Sequence, residues 1–195
     1  KERMERRFHR LCCLCTAAHH AFELGAGGGL VFQQLLGLRR SLLLWSGLLT
    51  TWSVGAASTR SGWEKPRAVA AGMSLGGALI HFVVWPWARP GLPMLTEPAE
   101  GLPRRYLPAY NFLLYTWTAV SLAAIVRETP VRYRPLSIAG FIASLPLILE
   151  ARHHFRWMQQ QARQNPAWWN RAYRETLVRE SSVSPPLSRP SFDRG

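Results

Sequence analysis

Seven side chains in this sequence could move protons or hold a metal in apolar surroundings: His19, His20, Glu23, His81, Glu150, His153 and His154. His19 and Glu23 stand four apart and His20 and Glu23 three apart, so a helix puts each pair on one face. Glu150 repeats the spacing in mirrored order, with His153 three and His154 four residues on. His81 falls near the end of a third apolar stretch. The first group lies inside Leu11–Leu38, a run long and apolar enough to cross a bilayer. Ionisable groups at that depth are costly and need a partner, so they are where function is sought first.

Three uses of these groups compete. The plainest is packing, in which they hydrogen-bond neighbouring helices and set orientation. A second is a metal site, because a Glu-x-x-His pair is the inward-facing ligand unit of di-iron bundles. His with carboxylate also suits iron or zinc. The ligands would be His20, Glu23, Glu150 and His153, with His81 as a further candidate. A di-iron site wants more carboxylates than the sequence supplies, and the expectation is that the protein carries no metal and no cofactor.

The third use is acid–base chemistry on an apolar substrate, and it is the one the sequence favours. A carboxyl group desolvated by lipid has a raised pKa and can be held protonated as a general acid. The expected catalytic set is Glu23, Glu150, His19 and His81. His20, Asn111, His153 and the aromatic residues Trp45, Trp52, Trp85, Tyr115 and Trp117 are expected to contact substrate. Aromatic faces can stabilise a carbocation, which a membrane-embedded cyclase or isomerase of isoprenoid or terpenoid lipids needs. The His19-x-x-x-Glu23 spacing is loosely similar to that of membrane sterol isomerases. That likeness covers a handful of residues, the other motif positions do not line up, and it defines no family. The rival from another class is a non-catalytic membrane subunit or small transporter.

The elements that must position these groups read as membrane spans. After a basic lead-in at residues 1–10, apolar blocks run near 11–38, 41–59, 68–88, 106–126 and 135–157. The first admits two geometries, one tilted helix or a helix that breaks at Gly25–Gly29, with the broken form slightly favoured. Gly72, Ser74, Gly76, Gly77 and Ala78 give the third block a face on which another helix can pack closely. Trp85-Pro86-Trp87 reads as an interfacial anchor. The loop 89–105 is rich in Pro and Gly. Asn165-Pro166 is a helix start signal, and Trp169, Tyr173 and Leu177 then share a face of an amphipathic interfacial helix over 166–180. The tail 181–195 is expected to be disordered. The expected fold is all-α, a polytopic integral membrane bundle of about five spans in one domain, residues 1–180.

Composition supports this and excludes other classes. The chain has 195 residues, 48% hydrophobic, with a net charge of +13. Its Arg residues sit in short loops and tails beside apolar blocks, which suits lipid headgroups and topology better than nucleic acid. Segments 1–10, 60–67 and 127–134 hold eleven Lys and Arg against five in 39–40 and 89–105. The positive-inside rule therefore puts the N-terminus in the cytoplasm, and Arg outnumbering Lys 22 to 2 suggests a bacterial inner membrane. Cys12, Cys13 and Cys15 read as small packing residues, with no second cluster to make a zinc site or disulfide framework. There is no phosphate loop, Cys-x-x-Cys-His or His-Glu-x-x-His. The expected partners are membrane lipids and a hydrophobic small molecule, with room for a homo-oligomer.

Overall fold

The computed structural model describes residues 6–84, 94 and 106–183, without the side chains of 149–152, 155 and 180–183. Trp85 and the side chain of Glu150 therefore lie outside the described residues, as do the loop 89–105 apart from Met94 and the tail from 184 on. Among the described residues all regular structure is helical. The elements are α1 (Arg7–Ala26), α2 (Gln33–Leu36), α3 (Leu38–Ala57), α4 (Glu64–Val84), α5 (Leu107–Ala123), α6 (Arg134–Ser144), α7 (Leu147–Gln164) and α8 (Arg171–Val183).

The glycine-rich stretch breaks the first apolar block, and the break has a defined geometry. Gly27 adopts φ +86°, donates to the Leu24 carbonyl, and is followed by Gly28 donating to the Glu23 carbonyl at 2.7 Å. That pair of bonds is a Schellman C-cap, which needs the left-handed residue glycine supplies. At the other end Glu128 caps α1 from a distant part of the chain, accepting the Phe8 and His9 amides at 2.9 Å each. It can do so because α5 ends in a π-helical turn, Ala124–Glu128, closed by the Thr129 amide on the Ala124 carbonyl. The α1 first turn carries no acid of its own, so Glu128 supplies the negative charge its amides favour.

Cross-links along the helices fix the topology. Glu23 meets Tyr110 and Cys12 meets Ser121, so α1 and α5 are antiparallel. His20 lies against Trp45 and Cys13 against Ser53, so α1 and α3 are antiparallel too. Ser74 meets Ser121 and Phe82 meets Tyr115, which sets α5 against α4 in the same sense. A methyl group at Gly72 would run into the Ser137 carbonyl and one at Gly76 into Ser144. Helix α6 thus packs on the small-residue face of α4, parallel to it, at a distance only glycine permits. The result is an up-and-down bundle with α4 at its centre. One end gathers the basic segments: Arg6 donates to the Ser58 carbonyl, Arg67 to the Gly55 and Ser58 carbonyls, and Arg132 to Glu64. His19, His20, Glu23 and His81 sit toward the other end.

Three expectations about elements change. The stretch 135–157 is not one helix: it divides at Leu145 and Pro146, where only i to i−3 backbone bonds remain. Proline has no N–H to donate and restricts the residue before it, so an α-helix stops there. The C-terminal helix starts later than Pro166. The fully buried Asn170 accepts the Ala167 amide and donates to the Asn165 carbonyl, holding a 3-10 turn, Trp168–Asn170, ahead of α8. The Trp169–Tyr173–Leu177 face is also covered. Tyr173 packs on Met158 and Ala162, with Leu177 against them, and Trp169 stacks on Trp157 at 5.7 Å. That face closes an α7–α8 hairpin and is not offered to lipid.

The three cysteines are buried and unbridged. Among the described residues one helical segment, Leu107–Glu128, is long and apolar enough to cross a membrane. Large apolar side chains nevertheless face outward on seven helices, among them Leu14, Leu43, Met73, Phe112 and Ile138.

Candidate active site

Glu23 lies in the last turn of α1, and two other helices of the bundle converge on it. The Tyr110 hydroxyl from α5 donates to Oε1 at 2.7 Å. His19 Nε2, one turn back on α1, stands 3.3 Å from Oε2, and His81 Nε2 from α4 stands 3.7 Å from Oε1. His19 is sealed at 3% exposed, whereas Glu23 keeps 16%, and that remaining surface opens onto a cavity. The C-terminal end of a helix disfavours a carboxylate, so donors from α5, α4 and α1 itself must offset the cost.

Ring contacts lock this corner. His19 stacks on Tyr110 at 5.7 Å, lies 4.8 Å from the Trp117 indole and meets His81 edge-on at 4.7 Å. Trp117 is held in turn, since its indole N–H donates to Ser74 Oγ at 2.6 Å and Ser74 shares a hydrogen bond with Ser121. His81 Nδ1 donates to the Gly77 carbonyl and His20 Nδ1 to the Thr16 carbonyl, each at 2.8 Å. With Nδ1 carrying the proton, each ring keeps its lone pair on Nε2. His20 Nε2 is buried with no hydrogen-bond partner among the described residues, and its ring lies 3.9 Å from Trp45.

The cavity beside Glu23 holds about 770 Å³ and is walled mostly by apolar groups of α3 and α4. It extends along α4 from Pro66 and Arg67 to His81, 15 residues and so roughly 22 Å at the helical rise. Leu43 and Leu48 on α3 and Met73 on α4 line it and are also exposed, which marks a mouth on the flank of the bundle. Its size and mostly apolar walls, with a few polar groups among them, are those of a small-molecule site.

Of the expected site residues, His19, His20, Glu23, His81, Trp45, Trp52 and Trp117 line this cavity. Three do not. Asn111 is buried and bonds its own helix at the Leu107 carbonyl. Tyr115 packs on Phe82 at 4.9 Å, away from Glu23. His153 is exposed, because one residue turns a helix by about 100°. Its neighbour His154 lines the cavity instead and bonds the Gly28 carbonyl through Nε2 at 2.8 Å. Tyr110, Ser74 and Thr16 belong to the site without standing out in the sequence. A hydroxyl on an apolar helix is common, and only the bundle shows which one meets Glu23.

No family model, curated protein or solved structure matches the chain.

Proposed function

We propose that this protein is a membrane-embedded enzyme that moves protons on an elongated apolar lipid, as an isoprenoid or terpenoid isomerase or cyclase does. The observation that carries the reading is the placement of Glu23, with its two imidazoles and a phenol, at one end of a long, mostly apolar cavity with exposed side chains along its flank. A soluble substrate has no need of such an entrance, and a lipid diffusing in the bilayer does. The exposed apolar residues on seven helices and the gathering of basic segments at one end support a bundle immersed in the inner membrane with its N-terminus cytoplasmic.

The donors around Glu23 suit a carboxylate, which makes base its role, with a protonated His19 or His81 as the acid. In an isomerisation the imidazolium gives a proton to one carbon of an alkene, and the electron deficit falls on its neighbour. Glu23 then removes a proton from an adjacent carbon, and those electrons close the new double bond. Proton count and charge balance, and no oxidant is required. The indole of Trp117, with Trp45 and Trp52 along the wall, presents aromatic faces to the cationic intermediate.

The test is solvent deuterium. Purified protein in vesicles, supplied with an isoprenoid-containing lipid extract in heavy water, is expected to convert or label one lipid species, read by mass spectrometry. Glu23→Gln is expected to lower that labelling by at least 100-fold, within the range removal of an acid–base group costs, while remaining folded. Equal labelling by the variant would remove Glu23 from the chemistry. A rigid bundle with no labelling at all would favour the non-catalytic subunit.

A further inference from the structure

The Glu23 corner also has the donor set of a metal centre. One ring nitrogen each of His19 and His81 and one carboxylate oxygen of Glu23 lie within 4.8 Å of one another. The two edges to the carboxylate are already 3.3 and 3.7 Å. A tetrahedral ion about 2.1 Å from each ligand sets its ligands about 3.4 Å apart, a spacing that His19 to Oε2 and His81 to Oε1 already approach, and no edge of the three-residue set exceeds 4.8 Å.

The tautomers argue for a cation at this point. His81 gives its Nδ1 proton to the Gly77 carbonyl, which leaves the Nε2 lone pair aimed at Glu23 Oε1. A lone pair facing a carboxylate oxygen is favourable only with a positive charge between them, whether a proton or a metal ion. A ring nitrogen tied to a backbone carbonyl, with the other nitrogen turned inward, is also how metal-ligating histidines are held. Tyr110 secures Oε1 from behind, at 2.7 Å, as an outer-shell partner does.

We infer that His19, Glu23 and His81 bind one divalent first-row transition metal ion, with an open coordination position facing the apolar cavity. Two histidines and one carboxylate are the donor set of catalytic zinc and of non-haem ferrous sites. The inference rests on the reading of this corner as the reactive centre, and it departs from the metal-free chemistry the sequence suggests. The ion takes the place of the shared proton as the electrophile. Cys12 and Cys13 do not compete for it as one cluster: Cys12 faces Ser121 on α5 and Cys13 faces Ser53 on α3.

The experiment is metal loading of the full chain in detergent. Protein stripped with chelator is dialysed against zinc, or against ferrous iron without oxygen, and counted by elemental analysis. About one ion per chain is expected, falling at least tenfold in His81→Gln and in Glu23→Gln and unchanged in the exposed-site control His153→Ala. Cobalt serves as a visible probe, and its ligand-field bands should appear with the wild type and vanish with His81→Gln. His81 and Glu23 come from different helices, so a folding failure of one variant leaves the other to be read. No stoichiometric ion in the wild type, or one retained by both variants, overturns the site. Lipid labelling that persists in fully stripped protein yet disappears in Glu23→Gln would overturn the metal and leave the acid–base centre standing.

Discussion

Glu23 is expensive where it stands, at the carbonyl end of α1 and shielded from water, and its neighbours show what offsets the cost. The Tyr110 hydroxyl is the shortest contact, and a hydrogen bond to a charged group is worth about 1.5–3 kcal/mol. Tyr110→Phe should lower stability by about that amount, measured by denaturant titration in detergent, without altering the helical spectrum. A second residue responds to acid. His9 is buried at the basic end, 3.5 Å from Thr129 Oγ1. Burial first, then the Arg67 and Arg6 guanidinium groups, pushes its pKa down to about 4 from 6.5. Between those values the unfolded chain binds a proton that the folded one refuses, so stability falls as pH drops through that window and is unaffected by His9 above it. Melting curves of the wild type and His9→Gln across the window check this, the variant being expected to show the shallower loss. At this scale the sequence was informative where two residues shared one helix. His19 and Glu23 stand one turn apart on α1, a spacing visible in the letters alone. Partners from other helices, such as Tyr110, were not visible, nor was the choice of His154 over His153, because helix rotation is set by tertiary packing.

Helix ends decide where these groups point. Gly27 stops α1 one turn after Glu23, and a Cβ there would meet the Tyr173 amide and side chain in addition to the left-handed backbone. The backbone alone costs roughly 1–2 kcal/mol, so Gly27→Ala should lower the melting temperature markedly and loosen the α7–α8 hairpin from α1. On α4, Gly72→Leu should be more damaging than Gly47→Leu, since nothing stands within 4 Å of a Cβ at Gly47 while Gly72 abuts the Ser137 backbone. The paired melting curves give that comparison directly. The broken first block and the small-residue face of α4 were legible because glycine patterns carry backbone geometry. The division at Pro146 was legible in principle, but the requirement that a span be long enough pulled the reading toward one continuous helix. The burial of Tyr173 was hidden because an amphipathic face looks the same whether it meets lipid or another helix.

Taken whole, the molecule has its polar chemistry at one end, its basic segments at the other and exposed leucines between. Immersion in a bilayer predicts that the protein stays with membranes through alkaline carbonate extraction, and recovery in the supernatant would contradict it. The only segment that qualifies as a span by composition among the described residues, Leu107–Glu128, is also the one that ends by capping α1. Phe8 and His9 find their acceptor 120 and 119 residues further along the chain. During synthesis, then, α1 must wait for the ribosome to deliver about 120 further residues before its leading amides are satisfied. Nascent chains halted short of Glu128 should accordingly be far more open to protease near Phe8 than those released just beyond it, and the Glu23 corner cannot mature until α1 has met α4 and α5.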